Sequence, residues 1–337
     1  KVTLSAWSSS EEEFNLIYKE LNLLRSVEKQ GLNIVVIKDQ KQANTSLNQW
    51  DEAALSTALD DLMIALESST ADPAFDIAPY REAESFFEGP EELDAGKVVL
   101  RLEEFAHSMK QDFTSLSFDA TLTYEKRHEH YLNSNGVDFE VTAAAYGFNT
   151  MFTAKEGAKM SSMNYTYFAL SDLDKPLMEI NFTRELMRQI CQQVNTSPIP
   201  VSFTGDIILS PTVASDLVYT LIQQQLGSSA LITKSSRFPD HLGQKIFDEK
   251  LCVFNKPTDE RLATSSFYSS DGFRASEHPV IENGVLKHYP ITLYAANKTG
   301  KQRTMGPADN LVIEAGDNSL KDMIRNVKQG ILCMRAS

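Results

Sequence analysis

From Leu116 to Phe168 the chain reads as three or four strand-like runs, interrupted by Asn133-Ser134-Asn135-Gly136 and Glu156-Gly157. Asn and Gly accept the backbone conformations that tight hairpin turns demand, so runs joined by them are expected to pair antiparallel. Such a meander needs a helical or second sheet layer over its apolar face. The preceding sequence offers two helices. Asp51 can cap the first, in which Leu55, Ala58, Leu59, Leu62 and Leu66 share a face. The second follows an acidic linker, Glu82 to Asp94, and its stripe is Val98, Leu102, Phe105, Ala106 and Met109.

The start of the chain alternates from Val2 to Trp7 and then meets Ser8 to Glu13, a polar stretch expected to turn. Phe14 to Leu24 mixes strand and helix signals, and Ile34 to Ile37 reads as a buried strand. After the meander, Thr183 to Val194 predicts a helix with Leu186, Met187, Ile190 and Val194 inward, before Pro198 and Pro200 break the chain. Beyond them, Gly205 to Leu209 predicts a short strand. Pro211 opens a helix to Leu226 in which Val213, Leu217 and Leu221 recur every four residues. Short strands and turns follow as far as Ile291, with Asp271-Gly272 and Glu282-Asn283-Gly284 as turn sites. The expected fold is α+β, with a domain over 1–197 that packs helices on an antiparallel sheet and a β-rich domain over 198–337.

A length of 337 residues with 42% apolar and 23% charged residues suits a globular chain that can bury a sizeable core. The formal charge of −14, from 46 acidic against 32 basic residues, repels phosphate backbones and anionic lipid, so direct nucleic-acid and membrane binding are disfavoured. No window approaches the roughly 18–20 apolar residues of a bilayer span, and the sequence from Lys1 has no signal-like core, so a cytoplasmic setting is expected. Cys191, Cys252 and Cys333 fit neither a disulfide framework nor a metal knuckle and read as idle thiols.

A zinc peptidase needs two imidazoles on one helical face and a carboxylate beside the metal-bound water. Of six histidines, only His128 precedes a glutamate, and Leu132 and Asn133 stand where the second histidine would have to be. His128 and His130 could share a strand face as a weak metal clamp, but a solvated face is the simpler reading. His107 reads as a helix-surface residue, and His241, His278 and His288 fall in turn-rich sequence. No GxSxG elbow, P-loop or GxGxxG occurs. No side chain stands out as catalytic, cofactor-binding or metal-ligating.

Several segments, in order, resemble the TldD/PmbA family. Gly31 to Ile37 followed by the Asp51 helix is similar to the strand, turn and helix that come after the family's first hairpin, and Asn133 to Gly136 to its Asn-Ser-x-Gly turn. More specific are Gly205-Asp206-Ile207-Ile208-Leu209-Ser210-Pro211, Ser270-Asp271-Gly272, and Val280 to Lys287 around Asn283-Gly284. In the TldD branch the helix after the Gly-to-Pro strand carries HExxxH, with zinc-binding histidines and a glutamate base. Thr212 to Leu226 has no histidine and no glutamate, which resembles the PmbA/TldE branch. The family continues beyond Gly330 to Cys333 and has a short helix ahead of the position of Lys1, so a trimmed chain is expected.

The resemblance implies a subunit without zinc, paired with a TldD-like metallopeptidase subunit that holds it, in a cytoplasmic assembly acting on unfolded or flexible peptides. Whether the chain forms a homodimer when alone stays open. So do two other readings, a self-sufficient homomeric hydrolase and a regulatory protein linked to DNA gyrase, the latter a label attached to the family. Under the first reading, function is expected in surfaces such as Asn133 to Gly136, Asp271-Gly272 or exposed strand edges rather than in a histidine.

Overall fold

The computed structural model describes residues 1–17, 20–198, 201–304, 306 and 310–334, with residues 22 and 23 described by backbone alone. Pro200, one of the two prolines at the expected boundary, lies outside these residues. Long strands organise the first part: β1 (Val2–Ile17), β2 (Glu20–Lys38), β3 (Lys41–Leu47), β4 (Glu84–Glu88), β5 (Leu116–Asn133), β6 (Asp138–Glu156), β7 (Lys159–Met160) and β8 (Asn164–Leu170). They form one sheet in the order β3-β2-β1-β5-β6-β4, with β7 and β8 also on β6. All pairs are antiparallel except β4 with β6. The expected meander is present, and β1 extends it from the chain's start.

Ser8 to Glu13 is not a turn. It continues β1, paired with β2 on one side and β5 on the other, so the ladder engages its backbone from both sides. Its polar side chains find cross-strand partners: Glu13 binds Arg25 at 2.5 and 3.0 Å, and Ser26 donates to Glu12 at 2.5 Å. Central position and cross-strand pairing here outweigh the weak strand propensity of Ser and Glu. Residues 18 and 19, inside the run with mixed signals, lie outside the described set, while its flanks form the β1–β2 hairpin. The acidic linker likewise contains a strand, β4, whose Phe86 packs toward the sheet.

The register splits the sheet into two faces. Phe14, Leu122 and Phe148 are cross-strand neighbours, and so are Trp7, Glu129 and Val141 one parity away. Helix α1 (Glu52–Ser68) packs on β2 and β3, capped by Asp51, whose carboxylate accepts from the Ala54 amide at 2.8 Å. Ala58, Leu62 and Leu66 are buried as expected, while Leu59 is turned to solvent. Helix α2 (Ala95–Asp112) buries its whole expected stripe beneath Phe14, Leu122 and Phe148, with Phe105 edge-on to Phe118 and Phe148. Helix α3 (Thr183–Gln192) closes this core with Leu186, Met187 and Ile190, and Val194 follows it inward.

The later part has shorter strands and more helix than the periodicity suggests. It contains β9 (Asp206–Leu209), α4 (Pro211–Leu226), α5 (Ser228–Ile232), β10 (Val253–Asn255), β11 (His278–Glu282), β12 (Val285–Leu286), α6 (Leu293–Thr299), β13 (Leu311–Ile313), α7 (Leu320–Asn326) and β14 (Gly330–Cys333). A four-stranded antiparallel sheet runs β12-β11-β10-β13, and β14 pairs parallel with β9. Asn283 and Gly284, at φ of 51° and 74°, make the tight turn that their sequence signals. Helix α4 does repeat every four residues and Val213 is buried as expected, but the face toward the second core is Val218, Ile222 and Leu226, while Leu217 is exposed. The stripe is displaced from the Val213-Leu217-Leu221 set because the sheet and α5 lie on that side, which periodicity alone does not locate.

Candidate functional site

Above the helix-covered core, the opposite face of the large sheet meets the segment 265–274. A third core joins them: Ala78, Tyr131, Val137 and Phe139 from the sheet side, with Phe86, Tyr268 and Phe273 packed against it. Phe267 stacks on Phe86 at 4.6 Å, and Tyr268 on Phe139 at 5.3 Å. Glu88 accepts from the Ser265 amide at 2.6 Å and from its hydroxyl, and Arg274 spans the join, bonding Glu84 at 3.2 Å and the Phe267 carbonyl at 2.7 Å. Strand β4, missed in the sequence, is therefore the mount for this segment.

The two turns singled out in the sequence flank this junction. Asn133 is buried; its amide donates to the Ala78 carbonyl at 3.0 Å, and its side-chain oxygen accepts from the Asn135 and Val137 amides. At the other turn, Asp271 accepts two bonds from Arg303, at 2.7 and 2.9 Å, and one from the Leu293 amide at 2.7 Å. Both turns are tightly built into the join, so their first role is structural.

Beside them lies a cleft of about 400 Å³ between the sheet face and the 265–270 segment. Thr3, Ser5 and Asn33 supply polar atoms from β1 and β2; Arg127, Glu129 and Tyr131 stand in a row on β5; Ser265, Ser266 and Tyr268 form the facing wall. Alternation along β5 explains the row, since residues two apart share a face. Tyr131 and Tyr268 keep their protons well above neutral pH. Burial, reinforced by the negative charge of Asp271, pushes Tyr131 up to about 12; burial and then Glu129 raise Tyr268 further. Each phenol is thus a fixed donor, and Tyr268 donates to Glu129 at 3.1 Å.

No histidine or cysteine lines the cleft among the described residues. His128 and His130 point to the other face and are exposed, bonded to Thr142 at 2.9 Å and Asp138 at 2.8 Å rather than sharing a ligand. His107 is exposed on α2, as expected. His241, His278 and His288 are half-buried rather than surface residues, and the last two rings touch at 5.2 Å. The three cysteines are each half-buried. The sequence reading passed over Arg127 and Glu129, although they bracket His128. The signal was the strand parity set by buried Tyr131, which turns 127 and 129 toward the cleft and 128 away.

A zinc site of the metallopeptidase kind does not fit these residues. Helix α4 offers no histidine or glutamate, and the described residues contain no cluster of three or more His, Cys, Asp or Glu side chains placed to hold a metal.

Residues 202–336 match the PmbA/TldA metallopeptidase C-terminal domain. The chain is 22% identical over 326 residues to a metalloprotease PmbA homolog of Haemophilus influenzae, covering 90% of this chain and 68% of the relative. Among solved structures, TldE from Thermococcus kodakarensis superposes with a TM-score of 0.75 at 17% identity, over 98% of this chain and 78% of that one. A protein from Bacteroides thetaiotaomicron described as a modulator of DNA gyrase reaches a TM-score of 0.81 at 19% identity, over 98% and 77%. The low identities of both structures speak for the fold. The family match over 202–336, the sequence relatives and the shared fold together support membership of the PmbA/TldE family.

Proposed function

We propose that the chain is the zinc-lacking, TldE-like subunit of a two-subunit peptidase that handles unfolded or flexible peptides in the cytoplasm, with zinc carried by a TldD-like partner. The observation that carries this reading is the cleft beside Arg127, whose walls are rich in donors and acceptors. Such walls can hold an extended backbone through hydrogen bonds without demanding a particular sequence. Tyr268 donates to Glu129 there, but burial and that carboxylate raise the phenol's pKa rather than activate it as a nucleophile. The boundary near 198 is proposed on the same footing, with 1–197 and 198–337 as two units meeting at the cleft.

The test is reconstitution. The purified chain alone is expected to leave a flexible fluorogenic peptide uncut, and activity is expected on adding a TldD-like subunit from the same cell. Replacing each of the six histidines by alanine should leave that activity intact. Zinc-dependent cleavage by this chain alone would instead support a homomeric hydrolase, and loss of activity after one histidine change, with folding and pairing preserved, would give this chain a catalytic role.

A further inference from the structure

In the cleft row, the bonding of Arg127 is incomplete. Its Nε lies 3.0 Å from Glu129 Oε1, an ion-pair distance, yet without the alignment that a hydrogen bond needs, so this buried nitrogen has no hydrogen-bond partner. No bond from its remaining nitrogens occurs among the described residues, and the side chain is 42% exposed. A buried Nε left unpaired is costly. Glu129 does not swing round to satisfy it, because its other oxygen accepts from Tyr268 at 3.1 Å. Tyr268 is in turn wedged between Phe139 and Tyr131. The cleft thus presents a planar cation, held against its neighbours, with its fork open toward the space where a ligand would lie.

We propose that Arg127 is an anchor for a carboxylate, carried by the C-terminus or by an acidic side chain of an extended peptide held in the cleft. This rests on the peptide-handling reading above and names the group by which the substrate is recognised. A carboxylate matches the guanidinium fork with two parallel bonds, which an amide or hydroxyl does not. Ser5 and Thr3 on one wall offer hydroxyls to the peptide backbone, and Ser266 on the other, which accepts from Asn310 at 3.3 Å, keeps its proton to donate. The cleft volume of about 400 Å³ suits the end of a chain or a small ligand.

At a net charge of −14 the protein repels anions at long range, so a preference for a negatively charged peptide has to come from a local cation. That makes the preference diagnostic.

The experiment titrates the full chain against three fluorescein-labelled octapeptides rich in glycine and alanine: one with a free C-terminus, one amidated, and one amidated with a single internal aspartate. Anisotropy should show the free-acid or the aspartate peptide bound about tenfold more tightly than the plain amide, and the preferred arm identifies the source of the carboxylate. In Arg127→Met the preference should vanish. In Arg127→Lys, which keeps charge but loses the fork, it should be partly retained, and unfolding curves of both variants confirm the fold. Equal binding of all three peptides to the unmodified chain would overturn the carboxylate anchor while leaving peptide handling in place. So would a preference that survives in Arg127→Met. Binding of none of them would overturn both.

Discussion

Arg303 lies over the Phe273 ring, its guanidinium carbon 3.6 Å from the ring centroid, while its fork grips Asp271. The two charged side chains are only 10% and 16% exposed. Asp271 also accepts from the Leu293 amide, so a single carboxylate ties the 269–273 turn to the start of α6. Arg303→Met should therefore leave a largely buried charge unpaired and cost on the order of 3 kcal/mol, read by urea unfolding. Asp271→Asn added to it should recover part of that loss. A cost of a few tenths would show the pair to be idle.

Gly272 sits in the same turn at a φ of +82°, and a Cβ there would lie 2.4 Å from the Tyr131 hydroxyl. Gly272→Ala combines left-handed strain with a clash against a ring packed in the third core, so a loss of about 2 kcal/mol is expected. Combining it with Tyr131→Leu relieves the clash but not the strain. The Tm should then recover less than the clash alone would predict.

These two residues show which parts of the site could be read from sequence. Asp271-Gly272 announces a turn through composition, and the stripes of α2 and α3 announce one core through period. The sheet order does not follow from either, because β1 reaches β5 by pairing over more than a hundred residues. Nothing local in Ser8 to Glu13 records that both its neighbours are strands. Nor does Glu84 to Glu88 record that Ser265 and Arg274 will bind it. The cleft arises from such long-range pairings. Arg127 and Glu129 became visible as a row only once the register was known.

Asp72 gives the pH dependence of a second tie between the early and late parts of the chain. It accepts from Lys298 at 2.6 Å and Tyr294 at 2.9 Å, both on α6. The Lys298 hydrogen bond first, then the Ala74 amide, lower its pKa from 3.8 to about 2. A depressed carboxylate contributes stability that is complete above the unfolded value and lost as pH falls through the folded one. The Tm of the unmodified chain should therefore exceed that of Asp72→Asn at pH 5. The gap should close between about pH 4 and pH 2. A gap that persists unchanged at pH 2 would place the effect elsewhere.

The open edge of the large sheet competes with the cleft as the place where a peptide would lie. Strand β3 pairs only with Leu32 to Lys38 of β2, so the outer side of β2 from Glu20 to Gly31 has no strand beside it among the described residues. Such an edge can accept an added strand. Backbone groups of successive residues point to opposite sides of a strand, so of Val27 and Glu28 one faces β1 and the other faces outward. Proline at the inward position removes a ladder bond and should cost about 3 kcal/mol. Proline at the outward position should be tolerated, as on other edge strands. Unfolding curves of Val27→Pro and Glu28→Pro then identify the outward variant without further assumption. If the peptide lies in the cleft, that variant should bind the carboxylate-bearing octapeptide with unchanged affinity, whereas Arg127→Met should not. Loss of binding in the outward proline variant, with its stability intact, would move the peptide from the sheet face to the edge of β2.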